Sequence, residues 1–242
     1  MKLTQALATL AIPALLATVT ALTGCQAEDT SGSHAQDLTE ADLGTPPNPD
    51  APVPDPVEIP VEAGLAKAYF ASGCFWCVEA VYESVRGVDE SISGYAGGHT
   101  ENPTYELSNT GKTGHAEAVE IHYDPSVVSF ATLVDVYFGS QNVTQVNGQG
   151  PDKGSQYRSI LFYQNDEQKQ IIETKIAELE QTLDGGKVAA EVMSFEKFWV
   201  GEDYHQNYER LHPNNSYIQG ISIPRLRKFQ AKFPELLKSS AH

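Results

Sequence analysis

The sequence predicts a single α+β domain over residues 65–242, a two-layer α/β sandwich in which helices cover a sheet. Segments with the two-residue period of β-strands alternate there with segments whose apolar residues recur at helical spacing. About 178 residues are enough to bury one proper core, and they contain no internal repeat. Strands and helices that alternate within one domain of this size are typical of a layered fold.

The individual elements follow from the spacing of apolar residues and from the glycines between them. The helix that begins at residue 74 carries its apolar residues on one face and ends at Gly87. The strand that follows the first long loop alternates, with Ala116 and Ala118 on one side and Val119 and Ile121 on the other. In chain order the predicted elements are strand 67–72, helix 74–86, strand 88–95, strand 115–123, helix 130–138, strand 157–163, helix 166–183 with Asp166 as its N-cap, strand 188–193, and short helical pieces at 202–211 and 223–237.

Residues 1–24 are predicted to be the export signal of a lipoprotein. Lys2 precedes an apolar stretch rich in Ala, Leu and Thr, and the stretch ends with Leu-Thr-Gly before Cys25. This layout resembles the bacterial lipobox, which implies that Cys25 is lipidated and becomes the first residue of the mature protein. The alternative is an ordinary signal peptide cut nearby, with Cys25 incidental. Pro13 and the many small residues argue against a transmembrane anchor, so we expect membrane attachment through the lipid only.

Residues 25–64 are predicted to be a disordered tether. Acids, Pro, Ser, Thr and Gly dominate the segment, which therefore cannot bury enough surface to offset its ordering entropy. Its seven prolines favour an extended and fairly stiff chain. The tether carries nine acids, and the domain after it keeps 23 acids against 15 bases. This acidic balance argues against nucleic acid as a partner.

Two thiols three positions apart, in the run Gly-Cys-Phe-Trp-Cys, are the strongest chemical signal in the chain. Because Cys25 lies in the leader, redox chemistry in the domain depends on Cys74 and Cys77. A position between a strand and a helix would lower the pKa of Cys74, and Cys77 would lie one turn further on the same face. Half of a zinc site is an alternative, but the domain has no further cysteine and no histidine at ligand spacing beside the pair. A buried structural disulfide is another, although so short a loop gains little stability.

Five motifs resemble those of the A-type peptide-methionine sulfoxide reductases, in the order of that family. The Gly-Cys-Phe-Trp run, followed by Glu79, resembles the nucleophile motif of the family. The other motifs resemble its glycine–tyrosine loop, acid-bearing strand, polar loop and C-terminal motif, and they lie at 94–105, 113–117, 147–159 and 202–206. Together the matches extend from about 66 to 215, and five ordered motifs make chance agreement very unlikely.

The resemblance implies a ferredoxin-like core with a mixed sheet, and it implies a mechanism without a cofactor or a metal. Cys74 attacks the sulfoxide sulfur, while Glu117 acts as an acid kept protonated by a desolvated site. Methionine leaves a sulfenic acid on Cys74, Cys77 converts it to a disulfide, and a thioredoxin-like protein reduces the disulfide. The substrate is methionine sulfoxide, free or in proteins, with the S configuration at sulfur. The other implied site residues are Tyr105 and Tyr157 as donors to the oxygen, Asp152 as an orienting group, and Phe75 and Trp76 as the pocket for the methyl group.

The chain departs from the family pattern at two places. Many members have Gly at the position of Cys77 and a resolving cysteine near the C-terminus, so an external thiol that attacks the sulfenic acid is the alternative to Cys77. The polar loop begins Gln141-Asn142-Val143 instead of His-Asp-Pro, which leaves its first turn undecided. His205 is interpreted as a structural histidine outside the catalytic set.

Two other functions remain open from the sequence. A thiol–disulfide oxidoreductase of the cell envelope would use Cys74 and Cys77 but would leave Glu117 and the tyrosines unexplained. A substrate-binding lipoprotein without catalysis is the other, and the intact nucleophile and acid argue against it. Gln26 after the lipidated cysteine favours the periplasmic side of the outer membrane.

Overall fold

The computed structural model describes residues 63–239. The predicted export signal with Cys25, and almost all of the predicted tether, lie outside the described residues, so both assignments stay predictions. Between residues 63 and 239, every helix is too short or too polar to span a bilayer.

A six-stranded sheet organises the described chain. Its strands are β1 (Ala66–Ser72), β2 (Val88–Ala96), β3 (Ala116–Tyr123), β6 (Ser159–Tyr163), β7 (Glu191–Ser194) and β8 (Phe198–Val200), while β4 (Gly148–Gln149) and β5 (Asp152–Lys153) form a separate hairpin. The order in the sheet is β7-β6-β1-β3-β2-β8, and only β6 and β7 run parallel. The four central strands have the order of a ferredoxin-like core, and the parallel edge makes the sheet mixed, as expected.

Helices cover one face of this sheet, which confirms the predicted α+β sandwich. The helices are α1 (Phe75–Glu83), α2 (Tyr105–Asn109), α3 (Phe130–Gly139), α4 (Asp166–Thr182), α5 (Tyr208–Leu211) and α6 (Ile223–Lys232). The main core lies between α1, α3, α4 and α6 and the sheet, and it includes Val81, Leu133, Ile172 and Phe229. A smaller apolar cluster lies on the opposite face, around Tyr69 and Phe198.

Strand β3 places an ionisable side chain in the interior of the domain. All eight of its residues are buried. Val119 and Ile121 join the core under the helices, and Ala116 and Ala118 join the cluster on the other face, as their alternation predicts. Glu117 has the same parity as Val119 and therefore points toward the helices.

Several boundaries differ from those predicted from periodicity. The N-cap of α4 is Asn165, whose side chain accepts the N–H of Gln168 at 2.9 Å, and not Asp166. Tyr157 precedes its strand, in a 3₁₀ turn at Ser155–Tyr157, and the strand predicted at 188–193 begins three residues later. The short elements α2, β8, the β4–β5 hairpin and a π-helical turn at Ile218–Ser222 were not predicted, because two to five residues carry too little periodicity.

The chain after α6 returns to the end of α1. A 3₁₀ turn at Pro234–Leu236 is followed by an antiparallel bridge between Val85 and Leu237. The N–H of Arg86 donates to the carbonyl of Leu236 at 2.8 Å, and the N–H of Lys238 donates to that of Ser84 at 2.9 Å. These bonds fasten the 234–238 segment to the chain that follows α1.

Candidate active site

Cys74 lies at the junction of strand β1 and helix α1, as the sequence predicts. The chain turns at Gly73, whose φ of +83° is in the left-handed region and whose missing Cβ would lie 2.4 Å from Cβ of Gln149. Cys74 is the N-cap residue of α1, and its side chain is 6% exposed. Its sulfur therefore lies beside the first turn of the helix, whose backbone N–H groups have no helical partners.

Cys77 lies one turn further along α1 and is 2% exposed, and both thiols are free. The hydrogen bond from Cys74 lowers the pKa of Cys77 to about 6, with help from the charge of Arg225. Burial raises the pKa of Cys74, and the neighbouring Cys77 raises it further. At neutral pH the two sulfurs therefore share one proton. Burial and the second sulfur oppose the lowering of the Cys74 pKa that the helix N-terminus is expected to produce.

Glu117 brings a buried carboxyl to the same helix end. It lies on β3 opposite Tyr95 and is 2% exposed. Its Oε2 accepts the backbone N–H of Phe75, the residue after Cys74, at 3.0 Å. Burial raises the pKa of Glu117 to about 8, more than this hydrogen bond lowers it. The carboxyl is therefore mostly protonated at neutral pH, next to the nucleophile.

Tyr105 and Tyr157 lie around this acid and contribute neutral phenols. Tyr105 begins α2, and Tyr157 ends the 3₁₀ turn before β6. Burial raises the pKa of both phenols. The hydroxyl of Tyr157 lies 3.5 Å from Oδ1 of Asn109. Both phenols thus keep their protons throughout the neutral range and are available as hydrogen-bond donors.

Asp152 connects to the second thiol through a tyrosine that sequence analysis missed. The hydroxyl of Tyr217 donates to Oδ2 of Asp152 at 2.6 Å and lies 3.7 Å from Sγ of Cys77. Burial raises the pKa of Asp152. Tyr217 follows the last family motif in the sequence, so no pattern indicated it.

Side-chain hydrogen bonds hold the start of the polar loop, where the sequence departs from the family pattern. The side chain of Gln149 accepts the N–H of Asn142 at 2.8 Å and donates to Oε1 of Gln141 at 2.9 Å. The hydroxyl of Ser159 donates to the same Oε1 at 2.9 Å. This amide network holds Gln149 against Gly73, and the loop thereby supports the turn that carries Cys74.

An aromatic wall stands beside the thiols. Phe75 is completely buried and contacts Tyr95, Tyr105 and His205, with ring centroids 4.7 to 6.3 Å away. Trp76 is partly buried, and its ring stacks on that of Tyr208 at 3.8 Å. Trp76 and Tyr105 therefore offer the accessible aromatic surface, while Phe75 supports both from behind.

His205 fixes the orientation of this wall. Its Nδ1 accepts the indole N–H of Trp76 at 3.1 Å, so the ring proton is on Nε2, which lies 3.6 Å from Oε2 of Glu202. Burial lowers the pKa of His205 to about 4, so the ring stays neutral at neutral pH and Nδ1 keeps the lone pair that accepts the indole N–H. Glu202 also accepts the hydroxyl of Tyr95 at 2.8 Å and the N–H of Tyr105 at 2.9 Å. These contacts agree with the interpretation of His205 as a structural histidine, and they show that its ring holds Trp76 in place.

The replacement His205→Ala is expected to raise KM for the sulfoxide that the sequence resemblance implies as substrate about tenfold, with a smaller effect on kcat. The indole N–H then loses its acceptor, and one such hydrogen bond is worth up to about 1.5 kcal/mol. His205→Gln should restore most of the affinity, because its carbonyl oxygen can accept the same N–H. The chain has two tryptophans, Trp76 and Trp199, so in a Trp199→Phe background the emission spectrum reports Trp76 alone. The exposed His99→Gln serves as control, and an unchanged KM and spectrum in His205→Ala would contradict this role.

Among residues 63–239, no group of three or more His, Cys, Asp or Glu side chains is arranged to hold a metal ion. The site is built from thiols, carboxyls, phenols and aromatic rings. This set can reduce a polarised bond by thiol attack and proton donation.

Known proteins resemble the chain over the whole described region. The family model for peptide methionine sulfoxide reductase matches residues 66–237. A relative named peptide methionine sulfoxide reductase MsrA from Pasteurella multocida is 47% identical over 172 residues, which cover 71% of this chain and 98% of that protein. The protein of that name from Saccharolobus solfataricus is 44% identical over 171 residues, which cover 71% of this chain and 96% of that protein.

Two solved structures have a fold similar to that of this chain. Methionine sulfoxide reductase A of Corynebacterium diphtheriae superposes with a TM-score of 0.58 at 31% identity, over 64% of this chain and 78% of that one. Reduced Mxr1 from Saccharomyces cerevisiae superposes with a TM-score of 0.57 at 31% identity, over 63% of this chain and 88% of that one.

Proposed function

Because the chain belongs to the peptide methionine sulfoxide reductase family, we propose that its active site reduces methionine sulfoxide with Cys74 as nucleophile, Glu117 as acid and Cys77 as resolving thiol. The observation that carries this assignment is the bond from the N–H of Phe75 to Oε2 of Glu117, 3.0 Å long. It holds a neutral carboxyl beside the residue that bears the nucleophile. A general thiol–disulfide oxidoreductase has no use for this acid or for the two phenols around it.

The first step consumes the sulfoxide. Cys74 attacks the sulfoxide sulfur while its proton passes along the hydrogen bond to Cys77, and Glu117 donates its proton to the oxygen. Tyr105 and Tyr157 donate hydrogen bonds to the same oxygen. The hydroxyl group moves to Cys74 as a sulfenic acid, and methionine leaves with the electron pair. In sum, one thiol and one sulfoxide become one sulfenic acid and one thioether.

The partly exposed ring of Trp76 holds the methyl group of the substrate, supported by Phe75. An apolar pocket on one side of the sulfur and a proton donor on the other distinguish the two configurations at sulfur. Because the resemblance to the family implies the S configuration, we assign the S sulfoxide, free or in proteins, as the substrate.

The second step converts the sulfenic acid on Cys74 into a stable Cys74–Cys77 disulfide. Cys77 loses its proton and attacks the sulfur of the sulfenic acid, and the oxygen leaves as water with that proton. The two residues are neighbours across the first turn of α1, so the disulfide needs only a local adjustment. A thioredoxin-like dithiol protein then supplies two electrons and restores both thiols.

The assignment is tested by mixing the reduced protein with each pure diastereomer of a methionine sulfoxide. With the S form, one equivalent of methionine should appear, and the thiols of Cys74 and Cys77 should both disappear from the peptide map. The R form should leave both thiols intact. Loss of thiols without methionine, or equal reaction of both diastereomers, would contradict the assignment.

Attachment to a membrane through a lipid on Cys25 belongs to the same proposal. The lipobox-like Leu-Thr-Gly-Cys run and the tether of about 40 residues support it, since the tether would hold the domain away from the bilayer. Wild-type protein should partition into detergent and Cys25→Ala should not, with both equally active in soluble form. Equal partitioning of the two would contradict the anchor.

A further inference from the structure

A cavity of about 570 Å³ borders Cys77, and Glu117 is not among its lining residues. Its walls come from the end of α3, from the polar loop with its β4–β5 hairpin, and from α6 with the turn before it. Cys77 belongs to the lining, while Cys74 does not. Of the two redox residues, only Cys77 therefore borders this cavity. A volume of this size accommodates a small organic molecule.

Two cations give this cavity a positive character in a domain that is acidic as a whole. Arg225 and Lys228 line it from consecutive turns of α6. The guanidinium of Arg225 is held rigidly, with Nε donating to the carbonyl of Ser140 at 2.9 Å and Nη1 and Nη2 donating to the carbonyl and hydroxyl of Ser72 at 3.0 Å. These bonds use three of its five N–H groups. The one acid in the lining, Asp152, is already paired with Tyr217.

We propose that this cavity binds a small thiol that carries carboxylate groups and directs it to the Cys77 sulfur of the Cys74–Cys77 disulfide. The proposal depends on the disulfide of the cycle above and adds the site and the direction of its reduction. Lys228 and the free N–H groups of Arg225 would bind the carboxylates. The charge of Arg225 would also stabilise the attacking thiolate near Cys77.

The exchange balances in two steps. The thiolate of the ligand bonds to the sulfur of Cys77, the Cys74–Cys77 bond breaks, and Cys74 leaves as a thiolate that takes up a proton. A second ligand thiolate then attacks the mixed disulfide, which releases Cys77 as a thiolate and the ligand as its own disulfide. Two ligand thiols thus supply the two electrons.

In the reduced pair Cys77 is the more acidic thiol and so the better leaving group. This alone would favour attack of the ligand on the sulfur of Cys74. However, Cys77 is neutral once it is bound to the ligand. Two of the causes that raise the pKa of Cys74, namely the hydrogen bond and the negative charge of Cys77, are then absent. The N-terminus of α1 remains to stabilise the leaving Cys74 thiolate.

The first test identifies the sulfur that is attacked. The protein is oxidised with one equivalent of methionine sulfoxide, and the methionine released reports the proposed function separately. Glutathione is then added, the reaction is quenched with acid within one turnover, and the free thiol is alkylated. Peptide mapping should find glutathione on Cys77 and the alkyl group on Cys74. The reverse distribution at the earliest times would overturn the proposal.

The second test examines the role of charge. Rates of disulfide reduction by glutathione, 2-mercaptoethanol and cysteamine, each corrected for its thiolate fraction, should follow the order anionic, neutral, cationic at low salt. Lys228→Glu should lower the ratio of the glutathione rate to the cysteamine rate by about fivefold or more, since one charge pair at 4 Å in water is worth about 1 kcal/mol. Arg227→Glu changes the net charge equally but lines a different cavity, and it should leave the ratio nearly unchanged. Equal effects of the two variants, or none, would reject the site.

Discussion

Glu117→Gln is expected to slow the release of methionine in the first turnover by about 10² to 10⁴-fold, the usual contribution of a positioned general acid. Glutamine keeps the oxygen that accepts the N–H of Phe75, so the turn at Cys74 should remain intact. The measurement is a rapid-quench experiment with the S sulfoxide and reduced protein. Glu178→Gln, on the exposed side of α4, is the matched control. A loss of less than about threefold would exclude Glu117 as the acid.

The same variant should change the pH dependence of the first turnover. Wild-type protein needs Glu117 protonated, so its rate should fall as the pH rises through about 8. It also needs one proton shared by the two thiols, so the rate should fall as the pH drops through about 6. Glutamine does not titrate, and the alkaline limb should disappear in Glu117→Gln while the acidic limb stays. An alkaline limb that survives the substitution would point to another group.

Cys77→Ser is expected to separate the two halves of the cycle. One equivalent of methionine should still form, more slowly because the proton acceptor for Cys74 is gone, and turnover driven by thioredoxin should then stop. A sulfenic acid should accumulate on Cys74 and react with dimedone, which mass spectrometry detects. Ser222→Ala, which alters a hydroxyl near Cys77 but not the sulfur, should keep cycling. Undiminished thioredoxin-driven turnover of Cys77→Ser would show that an external thiol resolves the sulfenic acid.

The sequence predicted the long elements because their apolar residues repeat over many positions. Strand β3 and helices α1, α3 and α4 lie within a few residues of their predicted positions. The segments that build the site are different. Helix α2, which begins at Tyr105, and the hairpin that holds Asp152 are too short for periodicity, and their shape depends on contacts made elsewhere in the chain. Asn165 replaced Asp166 as N-cap because both residues can cap and spacing alone does not choose between them.

Sequence analysis could predict only those site residues whose chemistry follows from their residue type and from the motif that contains them. Cys74 and Glu117 were found in this way, and the structure places them at the same helix end. His205 lies in a matching motif but looked like an ordinary buried histidine, since only its contact with Trp76 reveals its role. Tyr217 and Arg225 come from the end of the chain and reach the thiols through the tertiary fold. No local pattern could have assigned them.

The hydrogen bonds that hold the 234–238 segment to the end of α1 affect which parts of the enzyme move during the catalytic cycle. The family resemblance implies that members with a second thiol near the C-terminus bring that part of the chain to the nucleophile. In this chain Cys74 and Cys77 both lie at the start of α1. The 234–238 segment therefore does not need to move to Cys74 during the cycle and can stay bonded to the end of α1 throughout. A crosslink that locks residue 237 to residue 85 should therefore leave the turnover number intact and raise only the temperature at which the protein melts.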